Sequence, residues 1–272
     1  MHLMIYQRAS FEDLLRERIG LDAASIGTAA MDRAVVRRMK ACGISDAFPY
    51  LTLARTSQDE LDELVEEVIV PESWFFRNFD TFHLLAKHAL TRIKASVGTK
   101  TFRVLSVPCS TGEEPYSVAM ALFDAGVPSG HFHIDAVDIS RKTLRFADRA
   151  VYGKNSFRGK NLEFQSAFFE IVENGFQLVP FVRQKVRFIR DNVLRSTQLC
   201  HQQPYDVIFC RNLFIYLEAS AKRRVLGMLT GLLKSEGLLF VGPAETSGIP
   251  GPDFVSIPPA KAFAYRRRIA EI

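Results

Sequence analysis

The chain has 272 residues, 47% of them apolar and 24% charged, with a formal net charge of +5 at neutral pH. That length suits one large domain, or a large domain with a small one, and the balance argues against a disordered, collagen-like or disulfide-stapled chain. Cys42, Cys109, Cys200 and Cys210 stand far apart with no CxxC spacing, so a structural zinc site and a disulfide framework are not expected, and reduced thiols in a cytoplasmic protein are.

No stretch reaches the roughly 18 consecutive apolar residues of a membrane span, and the opening MHLMIYQRASFEDLL lacks the layout of a secretory leader. The charge is unevenly placed: residues 1–70 carry 8 basic and 12 acidic side chains, residues 71–272 carry 27 and 18, and residues 141–195 alone hold 12 and 5. A basic field of this kind suits an acidic partner, or is simply a solvated surface.

In chain order, residues 10–70 read as short helices. Ser10 is positioned to cap a helix through Phe11, Leu14, Leu15 and Ile19 that ends at Gly20. A second helix, Met31 to Cys42, gathers Ala34, Val35 and Met39 on one side and stops at Gly43. On it Arg33, Arg37 and Lys40 recur at i, i+4 and i+7 and share a face. A third spans 58–69, apolar at Leu61, Leu64, Val65, Val68 and Ile69, before Pro71 interrupts. The expected organisation is a helical domain over 1–70, a linker and helix over 71–100, and a larger domain over 101–272.

From about residue 101 strand and helix alternate. FRVLSV at 102–107, HIDAVD at 133–138, DVIFC at 206–210 and GLLFV at 237–241 read as strands, with helices near 115–125, 140–150 and 220–233. This pattern predicts an α/β domain with a parallel sheet covered by helices on both faces. The tail, 254–266, reads as an antiparallel hairpin at a sheet edge. Residues 161–190 break the rhythm: Leu162–Phe169, Gly175–Val179 and Val182–Ile189 suggest three strands with no helix between them, an inserted small antiparallel β subdomain.

In an open parallel sheet, ligands bind beyond the carboxyl ends of the strands. Three segments lie there. PCSTGEEPY at 108–116 follows the first strand; Gly112 would let a ligand approach the backbone, but Glu113 and Glu114 would repel a phosphate. Asp138 ends the second strand, where a carboxylate can accept both hydroxyls of a ribose, or cap the next helix in competition with Ser140. CRNLFIY at 210–216 leaves the fourth strand with Asn212 and Tyr216 as polar groups in an apolar run. Together they describe a nucleoside pocket that avoids phosphate and sets acids near a positive centre, which points to S-adenosylmethionine.

These residues carry a resemblance. FFR at 75–77, CSTGEEPYS at 109–117, DIS at 138–140 and CRNLFIYLE at 210–218 are similar to the CheR family of chemoreceptor glutamate methyltransferases, over nearly the whole chain. VPESWFFR at 70–77, YGKNSFRG at 152–159 and VGPAE at 241–245 resemble its Wsp branch, which serves surface sensing and biofilm pathways. The resemblance implies an S-adenosylmethionine-dependent methyltransferase (Rossmann-like) fold with an N-terminal helical domain. It implies that Ser73 and Arg77 contact the cofactor from the linker, Arg77 through the methionine carboxylate, and that Glu113 and Glu114 face the amino group. Asp138 would hold the ribose; Asn192, Val193, Asn212 and Leu213 would flank the adenine and the reacting end, with Gly112 in the cofactor loop. Tyr216 would lie close to the methyl group and, with Arg77, serve catalysis.

Three departures stand out: Pro71 where swimming-type members usually carry Asn, DIS in place of DID, and Ala167-Phe168-Phe169 where many members open the β subdomain with Arg-aromatic-Phe. The last weakens the expectation that this subdomain docks a receptor's C-terminal pentapeptide. Wsp-type members also tend to continue into helical repeats, so a piece of a longer protein is expected.

A glutamate side chain, with a reference pKa of about 4.3, is ionised at neutral pH and needs no general base to attack a methyl carbon. The six histidines form no constellation, and no metal is expected. The expected substrate is the cytoplasmic helical bundle of a methyl-accepting chemotaxis-type receptor, with Arg33, Arg37 and Lys40 pairing with its carboxylates. The membrane is then reached only through the receptor, and the protein is expected to be a monomer. A nucleic-acid methyltransferase is disfavoured, because no (Asp/Asn)-Pro-Pro-(Tyr/Phe) string is present and few aromatics interleave the basic run. The alternative is a non-catalytic module that senses S-adenosylmethionine and docks on receptors.

Overall fold

A computed structural model describes residues 5–95, 101–159, 162–249, 251 and 253–268. The chain forms two compact units: the residues up to Val70 joined by Leu213–Val225, and Pro71–Asn212 with the residues from Leu226 onward.

The first unit is helical: α1 (Ile5–Ile19), α2 (Ala23–Ile26), α3 (Thr28–Ala41), α4 (Ala47–Thr56) and α5 (Gln58–Val68). Apolar residues at helical spacing fill its core, Met31, Val35 and Met39 from α3 and Leu61, Leu64, Val65 and Val68 from α5, with the Phe11 and Tyr50 rings 5.7 Å apart. Asp22, Asp46 and Ser57 cap α2, α4 and α5 through backbone N–H groups. One expectation needs correction: Ser10 lies inside α1 rather than capping it. The helix α4, which is not among the three expected, carries Pro49 in its first turn, where the missing N–H has no helical partner to lose.

The unit is completed from far along the chain. Leu217 makes an isolated antiparallel bridge with Leu21; the Asp22 N–H donates to the Tyr216 carbonyl at 2.8 Å, and the Glu218 N–H to the Gly20 carbonyl at 2.9 Å.

The second unit begins with an extended linker and α6 (Asp80–Ala95), and then alternates: β1 (Phe102–Ser106), α7 (Glu113–Asp124), β2 (Phe132–Asp138), α8 (Arg141–Arg149) and β3 (Val151–Tyr152). α9 (Glu163–Phe168), β4 (Phe169–Val172), β5 (Gly175–Leu178), α10 (Pro180–Arg183), β6 (Val186–Arg190) and β7 (Tyr205–Cys210) follow. The chain closes with α11 (Ala219–Leu232), β8 (Leu233–Val241), β9 (Phe254–Ile257) and β10 (Ala264–Arg267). The seven-stranded sheet runs β6-β2-β1-β7-β8-β10-β9. Its first five strands are parallel, and β10 pairs antiparallel with both β8 and β9 as the expected edge hairpin. The chain builds outward from β1 through β2 to β6 and then returns to β1's other side with β7, so a switch point lies between β1 and β7. Buried Val104, Ile134, Val207, Phe209, Leu238 and Phe240 from successive strands form the core.

A small antiparallel sheet, β3-β5-β4, stands beside the main one, but not as the sequence pattern suggests. The run 162–169 is mostly helix, because Phe164 and Phe168 recur at a helical spacing and one turn seats them against the aromatic cluster. The run 182–189 divides into a short helix and β6, which pairs parallel with β2 in the main sheet, Ala136 opposite Phe188. The third strand of the small sheet is β3, which precedes the predicted span; residues 160 and 161 lie outside the described residues. No helix of the described residues is long and apolar enough to cross a membrane.

Candidate cofactor and active site

The carboxyl ends of β6, β2, β1 and β7 lie side by side and supply most of the sequence-predicted residues of the second unit. Asp138, 6% exposed, ends β2. Its Oδ2 accepts the Ser110 N–H at 2.8 Å, and its Oδ1 accepts the Ser140 N–H at 2.9 Å and the Thr143 hydroxyl at 3.4 Å. The helix cap itself is Ser140, whose hydroxyl accepts the Thr143 N–H. Asp138 therefore ties the loop after β1 to the turn after β2.

Glu113 and Glu114 are consecutive on α7, so their side chains leave the helix about 100° apart. Glu113, 2% exposed, accepts the Thr111 hydroxyl at 2.6 Å and the Ser156 hydroxyl at 2.9 Å, and so braces the loop after β3. Glu114 turns over the strand ends. It accepts the Ser106 hydroxyl at 2.8 Å and pairs with Arg211 at 3.2 Å, across the switch point. Burial pushes the Glu114 carboxyl up from its ordinary value, and Arg211 and Ser106 pull it back. The two acids thus have different protein partners, Thr111 and Ser156 for Glu113 and Ser106 and Arg211 for Glu114.

The sequence reading did not select Arg211, although a charged residue directly after a buried strand was the available signal. It is 5% exposed and donates to the Arg77 carbonyl at 2.9 Å and to Asn78 Oδ1, as well as to Glu114. Burial lowers its pKa and Glu114 opposes that; a guanidinium keeps its charge under such conditions.

Gly112 lies in the loop after β1 and caps α7. At φ 91° it sits in the left-handed region, and a Cβ there would lie 2.8 Å from Ala147 Cβ and 3.0 Å from the Tyr152 hydroxyl. Its missing side chain makes room for α8 and β3. Cys109 in the same loop is buried, and burial beside Asp138 and Glu114 holds its thiol well above the ordinary range, hence protonated.

Asn192 and Val193 follow β6, whose last residue, Arg190, registers with Asp138. Asn192 Oδ1 accepts the Leu194 N–H at 3.0 Å, a local turn that fixes this segment beside the end of β2. Asn212 follows β7 with φ 60°, and its N–H donates to Glu245 Oε2 at 2.8 Å. The same oxygen accepts the Gly242 N–H, and a Cβ on Gly242 would meet it at 2.6 Å. Glu245, 4% exposed, thus joins the segments after β7 and β8.

Ser73 and Arg77 lie in the linker before α6. Phe75 anchors this linker: its N–H donates to the Ser156 carbonyl, and its ring packs on Tyr152, Phe157 and Phe169 at 4.7, 5.2 and 5.0 Å. Arg77 stacks on Trp74 at 4.1 Å and acts electrostatically on both Glu114 and Arg211. Leu213, Tyr216, Arg33, Arg37 and Lys40 belong to the helical unit. Arg33, Arg37 and Lys40 lie on the exposed side of α3, and Arg37 pairs with Glu67 at 3.1 Å.

The second unit's group has one acid, Glu114, suited to an ammonium, guanidinium donors suited to a carboxylate, and Asp138 suited to a diol. Two buried polar atoms without a partner among the described residues, Ser110 Oγ and Arg211 Nε, lie in this same group. Such donors are expected where a polar ligand completes the site. The residues therefore fit the amino, carboxyl and ribose groups of S-adenosylmethionine.

Residues 71–251 match the family model "CheR methyltransferase, SAM binding domain". The chain is 44% identical over 257 residues to "Probable biofilm formation methyltransferase WspC" of Pseudomonas aeruginosa, covering 94% of this chain and 61% of that protein. It is 31% identical over 239 residues to "Chemotaxis protein methyltransferase" of Escherichia coli, covering 85% of this chain and 81% of that protein. The chain thus spans about three fifths of the length of the first of these relatives. Among solved structures, N-methyltransferase NodS of Bradyrhizobium japonicum in complex with S-adenosyl-L-homocysteine is similar at a TM-score of 0.40 and 11% identity, over 69% of this chain and 86% of that one.

Proposed function

Because the chain belongs to the CheR methyltransferase family, we propose that it esterifies glutamate side chains in the cytoplasmic helical region of a methyl-accepting chemotaxis-type receptor, within a surface-sensing pathway of the Wsp kind. The observation that carries this reading is the Glu114–Arg211 pair across the β1/β7 switch point, with Asp138 at the neighbouring strand end. It offers matched partners for an amino acid joined to a nucleoside.

When bound, S-adenosylmethionine supplies an electrophilic methyl carbon. The chain's own residues bind and orient. Asp138 accepts the ribose hydroxyls, Glu114 the ammonium, and Arg77 meets the carboxylate with its fork. Asn192, Val193, Asn212 and Leu213 border the adenine and the reacting end, and Ser73 adds a linker contact. The acceptor glutamate arrives ionised, so no residue is required to remove a proton; the work is alignment. Tyr216 orients the incoming carboxylate through its hydroxyl. Arg33, Arg37 and Lys40 recognise an acidic helical surface. Esterification removes a negative charge from the receptor bundle and shifts its signalling equilibrium.

The test supplies tritiated S-adenosylmethionine with membranes bearing a candidate receptor and measures label released as methanol by alkali. Label that enters the receptor and leaves as methanol is the expected result. Tight cofactor binding without receptor label would favour the sensing module, and alkali-stable label would mean methylation of nitrogen or carbon.

A further inference from the structure

Trp74 is the only tryptophan in the chain, and two guanidinium groups pack on its ring. Arg77 lies 4.1 Å from the ring centroid and Arg158 5.0 Å. Glu72 ties both down: its carboxylate accepts from Arg158 at 3.1 Å, and its backbone carbonyl accepts from Arg77 at 3.4 Å. Arg158 is further fixed by donating from Nε to the Asn155 carbonyl at 3.1 Å. The loop that carries it is joined to the linker at a second point, where Phe75 N–H meets the Ser156 carbonyl at 2.9 Å. Linker and loop are thus zipped together on either side of Trp74.

Arg77 is held differently from the other arginine at this site. Arg211 is buried and has three protein acceptors, whereas Arg77 is half-buried and has one long hydrogen bond and a ring. A long side chain with free donors must be oriented by something, or it loses rotamer entropy on meeting its ligand. The Trp74 face supplies the orientation without consuming donors, because a cation–π contact uses the flat of the guanidinium and leaves its N–H edge outward. Two cations on one ring repel, and the Glu72 carboxylate offsets that repulsion.

We propose that Arg158, Glu72 and Trp74 form a clasp that positions Arg77 for the carboxylate end of S-adenosylmethionine. The proposal rests on the role given to Arg77 above. Arg158 is then a positioning residue, acting on the cofactor only through Trp74 and Arg77.

The experiment compares two probes, S-adenosylhomocysteine and 5′-methylthioadenosine, which share the nucleoside and differ by the amino-acid end. Binding is measured by calorimetry and by the emission of Trp74. Arg158→Ala is expected to weaken S-adenosylhomocysteine about three- to tenfold, the scale of a partly exposed cation–π contact and ion pair, and to leave methylthioadenosine within about twofold. Glu72→Gln, which keeps the bulk of the side chain, is expected to shift the same ratio in the same direction. Trp74→Phe, which keeps a ring, is expected to retain more discrimination than Trp74→Leu. In the unsubstituted protein, Trp74 emission should change with S-adenosylhomocysteine and much less with methylthioadenosine.

Equal weakening of both probes by Arg158→Ala and Glu72→Gln would mean a purely structural role and overturn the clasp. Arg77→Ala separates the two levels. If it leaves the ratio of the probes unchanged, the assignment of Arg77 is wrong and the clasp falls with it. If Arg77→Ala abolishes the preference while Arg158→Ala and Glu72→Gln do not alter it, only the clasp is overturned.

Discussion

Asp135 offers the most direct test of how the sheet is held beneath the site. No part of its side chain is exposed, yet it is ionised. It accepts Arg103 at 2.9 Å, His133 at 2.9 Å, Arg187 at 2.8 Å and the Tyr205 hydroxyl at 2.8 Å, which joins β1, β2, β6 and β7 through one carboxylate. Burial alone would raise its pKa; the donors from His133, Arg187 and Tyr205 outweigh burial and bring it from 3.8 to about 2. A carboxyl with a depressed folded-state pKa contributes stability above its unfolded value and loses it as pH falls through the folded one. The shift corresponds to about 2 kcal/mol, present at neutral pH and lost between roughly pH 4 and pH 2.

Asp135→Asn replaces an all-acceptor group by one that must aim an N–H₂ at existing donors, and leaves two guanidiniums without their counter-charge. Breaking such a pair costs on the order of 3–5 kcal/mol. Urea unfolding followed by circular dichroism, at pH 7 and in steps toward pH 3, should show that loss at neutral pH, with the gap between variant and parent narrowing below pH 4. A neutral-pH loss under about 1 kcal/mol, or a gap that does not narrow in acid, would refute the role given to this carboxylate.

Other outcomes follow from the same geometry. Arg211→Ala should weaken S-adenosylhomocysteine binding by more than about tenfold, and Arg211→Lys should not restore it, because one ammonium cannot reach Glu114, the Arg77 carbonyl and Asn78 together; calorimetry decides. Gly112→Ala should cost about 2 kcal/mol or more through its left-handed backbone and the contact with Ala147, and Ala147→Gly should recover part of it in thermal unfolding. Arg37→Glu should reduce methylation of a receptor while changing stability by no more than about 0.5 kcal/mol, since its pair with Glu67 is exposed; unchanged turnover would remove α3 from substrate recognition.

Strands β1, β2, β7 and β8 were legible because each holds a buried run bounded by turn residues, and α1, α3 and α5 because their apolar positions recur every three or four residues. Where the sequence reading went astray, the missing information was non-local. Val182–Ile189 looks like one strand of a small insert, but Val186–Arg190 is claimed by β2, a partner some fifty residues away that no local pattern announces. Leu162–Phe169 is rich in aromatics, which favour strands, and only its packing selects a helical turn. In the site, Asp138 and Asn212 were recognisable by standing at strand ends. The close approach of α8 and β3 to Gly112 could not be read locally, since Ala147 and Tyr152 lie some 35 to 40 residues away. The divergence of Glu113 and Glu114 follows from helix geometry alone. Arg211 escaped because a charge beside a strand reads as surface until its burial is known.

The bridge between Leu21 and Leu217 bears on the order in which the molecule can be made. The helical unit takes its last segment from a stretch roughly 200 residues downstream, past most of the sheet, a contact of very high order for so small a unit. On a ribosome, α1 to α5 emerge first but cannot close over Gly20 and Asp22 until the turn bearing Tyr216 has been synthesised. A fragment ending at Val70 should accordingly be looser than its core suggests, with slow amide exchange at Asp22 returning only when residues 213–225 are present.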